Sequence, residues 1–532
     1  MSEKKNIVRA AGVLGFATVL SRIMGMVRDM VVSRLFGAGF ATDAFFAAFQ
    51  IPNMLRRFFA EGALTSAFVP TFSECLNRDG EEAARELANI CFTLLTIVMA
   101  AVTLLGIVFS PQIVHFMFRG FSDVKPLILA NGVTIYKMDL TIFLNRLMFP
   151  YIFFISLVAL CMGVLNTVRH FFTPAISTVF LIISMILCAV FLHDFFDVPV
   201  TSLAVGVILG GIVQLLLQLP TLYRLGFSLK PVFYFSHPAV RRIALLMGPS
   251  VFGVGVYYLN ITVGSILASL LPQGSVSYLY YAQRLFEFPQ GIFTVSVAQA
   301  VLPSMSRQAA AGEMEGLKES LAFGLRLTLF VTIPAMAGLL VCATPIFSLL
   351  FMGGAFDYDK AVKCGEALFY YSLGLTLVAL VRVLVPAFYA LKDTRTPVIV
   401  AFIAFILNLL FSLMLMGPLR HGGLALASTL SAMCQLAMLL YLLRVKIGQF
   451  DGVNILTAAF KSMIASIPMA CLVFWVMRLA DWSSQGDKTL KALTLFGGIG
   501  LGAGVFFISA LLLRSGEARE ALELFRRKVL KR

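Results

Sequence analysis

Arginine side chains lie inside two segments that are otherwise apolar enough to cross a membrane. Arg22 and Arg28 are in the first segment, and Arg56 and Arg57 are in the second. A charged side chain at the centre of a bilayer costs about 2.5 to 3.5 kcal/mol on insertion scales, so such residues face a protein interior or a wet cavity. Fixed cations at this depth therefore predict an anionic cargo.

The first segment is too long to be a straight, perpendicular span, so it must tilt or bend. Arg22 and Asp29 are seven residues apart and share a helix face, whereas Arg28 lies on another face. Gly25 lies between the two arginines and weakens the helix there. A bend at Gly25 would bring both arginines to one cavity.

The second segment carries a polar stripe. Asp43, Gln50 and Arg57 recur every seven residues, and Asn53 and Glu61 fall on the same helix face. The stripe is typical either of a cavity lining or of an internal packing network. A packing role is favoured for Arg57 and Glu61, which could pair across one turn.

Arg56 differs from Arg57 because no acid lies three or four positions away. A ligand-binding role is therefore favoured for Arg56. A later segment shows the same pattern, with Gln283, Glu287 and Gln290 on one stripe and Arg284 beside it. Arg284 and Glu287 are three residues apart and could pair, so structural and functional roles both stay open for Arg284.

The composition indicates a membrane protein, because 59% of the residues are hydrophobic and only 13% are charged, with a mean hydropathy of +0.91. Apolar runs near or above the roughly 20 residues that cross a bilayer recur along the chain. We predict an all-α polytopic protein with fourteen transmembrane helices. The predicted spans are residues 7–35, 43–72, 87–117, 139–165, 173–193, 199–223, 243–271, 276–306, 319–350, 364–391, 397–416, 422–444, 455–477 and 490–513.

The spans fall into two blocks of six and a terminal pair. We predict an N-lobe at residues 1–235, a C-lobe at 236–446, an extra helix pair at 447–513 and a basic cytoplasmic tail at 514–532. The second and eighth spans hold the same position in their blocks and end similarly, which is a weak internal repeat. An even number of spans per block favours parallel repeats around an axis along the membrane normal.

The loop cations predict the orientation, because Lys and Arg in short loops are retained on the cytoplasmic side. With both termini cytoplasmic, roughly 24 cations lie inside and roughly 10 outside. The predicted outer cations are Arg34, Arg119, Lys125, Lys137, Lys360, Lys363, Arg420, Arg478, Lys488 and Lys491. The net charge of +15 is thus mostly positive-inside bias and does not indicate nucleic acid.

No catalytic or metal site is predicted. The eight cysteines and five histidines are scattered without metal-ligand spacing. A membrane enzyme acting on polyprenyl phosphates would need clustered acids or a nucleophile, usually with a metal, and a non-transporting scaffold would need no charged cavity. A transporter is favoured over both.

The residues around the arginines resemble a known family. The motifs are Ser21-Arg22 through Gly25 to Arg28-Asp29, Phe36-Gly37-Ala38-Gly39, Thr42-Asp43-Ala44-Phe45-Phe46, Ile51-Pro52-Asn53 to Arg56-Arg57, Phe59-Ala60-Glu61-Gly62-Ala63, Ala67-Phe68-Val69-Pro70, and Tyr280-Tyr281-Ala282-Gln283-Arg284 to Glu287-Phe288-Pro289. Together they resemble the MurJ (MviN) family of bacterial lipid II flippases, over essentially the whole chain. A related exporter of drugs or other lipid-linked sugars would share the fold, and only the arginine pattern speaks against it.

The resemblance implies the fold of the multidrug/oligosaccharidyl-lipid/polysaccharide exporter superfamily, with two six-helix lobes around a central cavity and two extra helices that form a groove for a lipid tail. It implies that the substrate is undecaprenyl-pyrophosphate carrying the disaccharide-pentapeptide unit of peptidoglycan, in the bacterial inner membrane. Arg22, Arg28, Arg56 and Arg284 are the implied head-group contacts, and Asp43 is an implied functionally sensitive acid. Family members often carry an acid where this chain has Gln283, so Arg284 is expected to be freer to meet substrate.

Arginine suits a pyrophosphate because its planar fork donates paired hydrogen bonds to phosphate oxygens and keeps its proton when buried. We expect alternating access, with like-charge repulsion among the arginines relieved by substrate. No cofactor is expected. Membrane potential could drive outward movement of the anion, by roughly 2.3 kcal/mol per charge per 100 mV, and coupling to a monovalent cation stays open. Expected partners are lipid II and membrane lipids; association with other cell-wall synthesis proteins stays open.

Overall fold

The computed structural model describes residues 3–57, 65–129 and 132–530 of the chain. Helices dominate because the long apolar runs satisfy all backbone hydrogen bonds internally, as a bilayer requires. The helices are α1 (Glu3–Phe36), α2 (Phe40–Arg56), α3 (Thr65–Arg78), α4 (Gly80–Val108), α5 (Ser110–Met117), α6 (Lys137–Met148), α7 (Tyr151–Thr167), α8 (Phe172–Phe191), α9 (Thr201–Arg224), α10 (Pro238–Ser269), α11 (Ser275–Pro289), α12 (Val295–Ala311), α13 (Met314–Leu350), α14 (Tyr358–Leu373), α15 (Leu375–Ala390), α16 (Arg395–Ile447), α17 (Gly452–Met477), α18 (Lys488–Leu512) and α19 (Gly516–Leu530).

The remaining regular elements are short. Two 3-10 turns cover Arg119–Asp123 and His193–Phe195, and a π-helical segment at Gln290–Thr294 joins α11 to α12. The strands β1 (Leu127–Ile128) and β2 (Thr134–Ile135) pair antiparallel as a small hairpin just before α6. The all-α fold that the sequence predicts is thereby confirmed.

Among the described residues, eight helical segments are long and apolar enough to cross a membrane when α6 and α7 count as one, or nine if the bent pair α14–α15 is also one span. The fourteen predicted spans all coincide with helices, although several consist of two helices or share one. The second span includes α2 and α3, with residues 58–64 between them outside the described residues, and the fourth is divided at Pro150 between α6 and α7. Two predicted spans merge into α16, with a non-helical residue at Arg420 (φ 50°, ψ −128°) marking their boundary.

The described chain divides into two compact units, Met1–Ser277 and Tyr278–Arg532. In the first unit, α10 packs against α3 and α4, so it groups with the helices that precede it. The predicted lobe boundary at 235/236 divides the chain by its repeated blocks of spans, whereas the two compact units are defined by packing. The lobe boundary stays a prediction.

Small residues allow the helices of the first unit to approach closely. On α9, a Cβ added at Gly206 would lie 2.8 Å from the Met185 Cα of α8, and one at Gly210 would lie 2.5 Å from the Leu181 Cδ1. Glycine at these positions therefore sets the separation of α8 and α9. Because α8 also packs against α1, this pair provides a rigid support for the helix that carries Arg22 and Arg28.

The second unit is centred on α13, against which α14, α15, α17 and α18 pack. Phe330 of α13, Met469 of α17 and Phe506 of α18 belong to one apolar core, so the extra helix pair is joined to this unit by ordinary hydrophobic packing. The tail at residues 514–532 contains α19. The first turn of α19 packs against the second unit, since Ala518 is fully buried and Glu517 lies 3.6 Å from Arg326.

Candidate functional site

Asp43 lies at the centre of a buried polar cluster in the first unit. Its Oδ2 accepts hydrogen bonds from the Lys137 ammonium (2.8 Å) and the Gly274 amide (2.7 Å). Its Oδ1 accepts from the amide (2.9 Å) and the hydroxyl (2.6 Å) of Ser277. The carboxylate thus has four donors and is only 1% exposed. Such a site holds a charge in the interior because every polar atom is paired.

Local sequence explains why Asp43 is placed there. Gly37 adopts φ 70° and ends α1, and α2 begins three residues later. The Thr42 hydroxyl accepts a hydrogen bond from the Gly39 amide (2.8 Å), which fixes the first turn of α2 and the direction of Asp43. Ser277 lies in the first turn of α11. Asp43 accepts the hydrogen bond from the Ser277 amide, as the side chain of an N-cap residue normally does.

Lys137 is the site residue that sequence reasoning missed. The sequence predicts it only as an outer loop cation, but it is the first residue of α6 and is 1% exposed. Its ammonium lies 4.3 Å from the ring centroid of Phe121 and 5.9 Å from that of Phe40. These rings and the Asp43 carboxylate stabilise the cation away from water. We call Asp43, Lys137, Gly274 and Ser277 the Asp43 cluster.

Arg28 binds the acid beside it in the sequence. Its Nε and Nη2 donate to the Asp29 Oδ1 at 2.9 Å and 2.7 Å, and both side chains are buried. Its Nη1 lies 3.9 Å from the Met185 sulfur on α8. Asp29 therefore pairs with its neighbour rather than with Arg22, although Arg22 and Asp29 share a helix face.

Arg22 is half-buried on α1, which passes through Gly25 without interruption. A Cβ at Gly25 would meet nothing within 4 Å, so close packing does not require glycine there. The bend at Gly25 stays a prediction.

Arg56 and Arg57 close α2. The Arg56 Nε donates to the Asn53 Oδ1 at 3.1 Å, one turn earlier, and Arg57 has a π-helical backbone. Gln50, on the same stripe, donates to the Ile261 carbonyl of α10 at 3.5 Å. Glu61 lies outside the described residues, so the Arg57–Glu61 pair stays a prediction.

Arg284 is held by its own helix. It lies 3.6 Å from the Glu287 carboxylate and 3.3 Å from the Tyr280 hydroxyl, with the guanidinium 5.0 Å from the Tyr280 ring centroid. Gln283 donates to the other oxygen of Glu287 at 3.2 Å. The expectation that Arg284 is freer to meet substrate because Gln283 replaces an acid stays a prediction. Glu287 is the acid nearest to both side chains in this turn.

A second intramembrane arginine of this unit was also missed. Arg382 lies in the middle of α15 and is half-buried. Within the part of the chain that the structure describes, no hydrogen-bond or ion-pair partner meets its guanidinium. The signal that identified Arg28, a charge inside an apolar span, applies equally to Arg382 and could have found it.

The four predicted ligands are distributed over both units, with Arg22, Arg28 and Arg56 in the first and Arg284 in the second. Three of the four contact a polar partner on the same helix, at separations of one, three and four residues. Their convergence on one cavity stays a prediction.

Arginines inside the spans of a polytopic, apolar helical protein, together with a buried and paired acid, are typical of a membrane transporter. Residues 32–488 match the family model described as "Lipid II flippase MurJ". The chain belongs to the MurJ family.

Individual relatives agree with this assignment. A "Probable lipid II flippase MurJ" from Vibrio cholerae is 37% identical, with 96% of each chain covered. The "Lipid II flippase MurJ" of Burkholderia cenocepacia is 35% identical, covering 92% of this chain and 94% of the relative.

Among solved structures, "Lipid II flippase MurJ, inward closed conformation" has a TM-score of 0.75 at 25% identity, covering 97% of this chain and 99% of that one. An inward-facing multidrug transporter of the MATE family and MOP superfamily has a TM-score of 0.67 at 14% identity, covering 80% and 94% of the two chains. The second likeness concerns the fold alone. The fold that the family resemblance implies is thereby confirmed.

Proposed function

We propose that this protein is a flippase for lipid II, moving undecaprenyl-pyrophosphate with its peptidoglycan head group from the inner to the outer leaflet of the bacterial cytoplasmic membrane. The observation that carries the proposal is the family match over residues 32–488, which includes Arg56 and Arg284. Relatives of matching length carry this activity in their names. The protein is a transporter rather than an enzyme.

Arg22, Arg28, Arg56 and Arg284 are the proposed ligands of the pyrophosphate. Arg28 and Arg284 are each beside a carboxylate of their own helix, Asp29 and Glu287 respectively. These acids reduce the like-charge repulsion expected of an empty cavity. We therefore infer that substrate acts by partner exchange, in which phosphate oxygens replace carboxylate oxygens on the guanidinium groups. The geometry of the paired hydrogen bonds is the same for both acceptors.

The Asp43 cluster is the proposed latch of the transport cycle. It ties the start of α2 to the start of α6 and to the first turn of α11, at the outer end of these helices under the predicted orientation. In alternating access, the outer end of the cavity must open to release the head group. Opening there would require the donors from Gly274 and Ser277 to leave Asp43, while Lys137 stays paired with the carboxylate.

The latch can be tested by locking it. The hydroxyl oxygens of Thr42 and Ser277 are 3.1 Å apart, close enough for cysteines at both positions to form a disulfide after small adjustments. Oxidised Thr42→Cys/Ser277→Cys protein is expected to flip at least about tenfold more slowly than the same protein after reduction. Each single-cysteine variant, treated with oxidant in the same way, is the control. Equal flipping before and after reduction of a fully formed disulfide would contradict the latch.

The proposed activity itself is tested with the full chain in proteoliposomes that contain lipid II. Appearance of lipid II in the outer leaflet is followed by its accessibility to a membrane-impermeant modifying enzyme. Flipping of lipid II, with no export of drug-like cations, is the expected result, and the converse would favour the related exporter function. Collapsing the membrane potential is expected to slow flipping, since about two negative charges move outward. An unchanged rate would favour coupling to a monovalent cation or to no gradient.

Both termini are proposed to be cytoplasmic, on the strength of the loop cations. Partners other than lipid II and membrane lipids have no support in the described residues.

A further inference from the structure

The segment between α9 and α10, residues 225–237, is fixed to the side of α4. The Lys230 amide donates to the Asn89 Oδ1 at 3.2 Å, and the Val232 amide donates to the Thr93 Oγ1 at 2.9 Å. At the start of the segment, Gly226 has φ 83°, and a Cβ there would lie 2.7 Å from the Arg85 guanidinium. The segment, which we call the aromatic linker, therefore has a defined position on the first unit.

The position of the aromatic linker on α4 places it at the membrane interface. Glu86 is the last charged residue of α4, and the apolar part of the helix follows. Asn89 and Thr93 are three and seven residues further on, or roughly 5 and 10 Å deeper at the rise of an α-helix. Residues 230–232 thus lie beside the first turns of the apolar span, where head groups meet hydrocarbon.

Three aromatic residues follow at this depth, and each is partly or largely exposed. Phe233 is 70% exposed, Tyr234 52% and Phe235 39%, and the Phe233 and Phe235 rings meet edge to face at 6.1 Å. Leu245, on the first turns of α10, is 68% exposed. Aromatic side chains at the interface are typical of contact with lipid, because the ring fits the boundary between water and acyl chain.

The positive charge of this region favours an anionic lipid. From Arg224 to Met247 the sequence contains four cations, Arg224, Lys230, Arg241 and Arg242, and no acid. Arg242 is bound to Glu74 at 2.6 Å, while the other three cations are exposed. An apolar aromatic surface flanked by three cations is complementary to an anionic head group with acyl chains attached.

We propose that the aromatic linker is a binding site for an anionic phospholipid of the cytoplasmic leaflet. The phosphate would lie among Arg224, Lys230 and Arg241, and the acyl chains would cover Phe233 and Phe235. The site is separate from the arginines proposed to bind the transported head group, and it does not depend on the identity of the cargo. Its ligand is a resident membrane lipid, which would set the anchoring of the segment that joins α9 to α10.

The test uses a tryptophan placed in the site. The full chain carries Phe233→Trp with Trp475→Phe and Trp482→Phe, which removes the two natural tryptophans. It is reconstituted in phosphatidylcholine bilayers with a low, fixed fraction of phosphatidylglycerol or phosphatidylcholine brominated at the same acyl position. Quenching is expected to indicate about two- to fivefold enrichment of brominated phosphatidylglycerol at the tryptophan. Equal quenching by both lipids, or quenching by neither, would overturn the proposal.

Matched variants separate the site from the general basic surface. Arg224→Gln/Lys230→Gln/Arg241→Gln is expected to abolish the preference for phosphatidylglycerol, whereas Arg224→Lys/Arg241→Lys should retain it. The control Arg78→Gln/Arg307→Gln/Arg395→Gln removes the same charge from exposed residues elsewhere on the predicted cytoplasmic side and should also retain it. A preference that survives in the first variant, or is lost equally in the control, would show that the aromatic linker does not select the lipid.

Discussion

Replacing Asp43 by alanine is expected to destabilise the protein by about 3 to 5 kcal/mol and to abolish flipping. The loss of stability arises because the Lys137 ammonium, 1% exposed, would lose its only carboxylate within the described residues. Lys137→Met should have a smaller effect, because the Asp43 carboxylate would keep three hydrogen bonds from Gly274 and Ser277. Thermal unfolding of the purified protein and the flipping assay measure the two effects separately.

A double variant distinguishes stability from function. Asp43→Asn/Lys137→Met removes both charges at once, so it should recover much of the stability that Asp43→Asn or Lys137→Met loses alone. Flipping should stay low, because asparagine has one acceptor oxygen where the latch uses two. If the free-energy changes of the single substitutions simply added, the two residues would not be energetically coupled. If flipping returned with stability, the Asp43 cluster would have no role in the transport cycle.

The Asp43 cluster also shows what the sequence could and could not predict. Asp43 was recognisable as a member of a polar stripe in an apolar segment, since helical spacing is a local property. Its partner Lys137 is 94 residues away, and Ser277 is 234 residues away. No periodicity connects them. Lys137 lies just before the predicted span at 139–165, so the sequence predicts it as a loop cation, whereas its burial depends on how α2 and α6 pack.

The predicted spans were more successful for the same physical reason. An apolar run long enough to cross a bilayer forms a helix almost irrespective of its neighbours, because unsatisfied backbone groups are too costly in hydrocarbon. The interruptions were harder to predict. The π-helical segment at Gln290–Thr294 follows Pro289, which marks a disturbance of the hydrogen-bond ladder without specifying its form. The family and its substrate are predicted from the resemblance, because the arginine motifs extend over both halves of the chain.

The pairing of the acids depends on side-chain conformation, although the partners are close in sequence. Asp29 could have bound Arg22 through a shared helix face or Arg28 through direct adjacency, and only side-chain conformation decides between them. For Arg284, the spacing to Glu287 indicated the pair that the structure contains. Local spacing thus predicts which pairs are feasible, while packing selects among them.

Substitution of the arginines is expected to have the second large effect. Each paired, charge-assisted contact to a phosphate contributes about 1.5 to 3 kcal/mol, so Arg28→Ala or Arg284→Ala should reduce flipping by roughly 10- to 150-fold. Arg146, which is exposed on α6 and donates to the Ile107 carbonyl, is a matched control and should tolerate alanine. Arg28→Lys should restore only part of the activity, because an ammonium lacks the planar fork.

The acids beside the arginines allow a loss of stability to be distinguished from a loss of pyrophosphate binding. Arg28→Ala leaves the Asp29 carboxylate buried without its closest cation, so a loss of flipping could reflect instability alone. Arg28→Ala/Asp29→Ala removes the unpaired carboxylate as well. If Arg28 serves only to neutralise Asp29, the double variant should flip lipid II normally. If Arg28 binds the pyrophosphate, the double variant should fold well but should not flip lipid II. For Arg284 and Glu287 the side chains are 33% and 39% exposed, so the pair contributes little to stability. Arg284→Ala should therefore leave the unfolding temperature nearly unchanged while flipping falls, an outcome that a purely structural arginine would not produce.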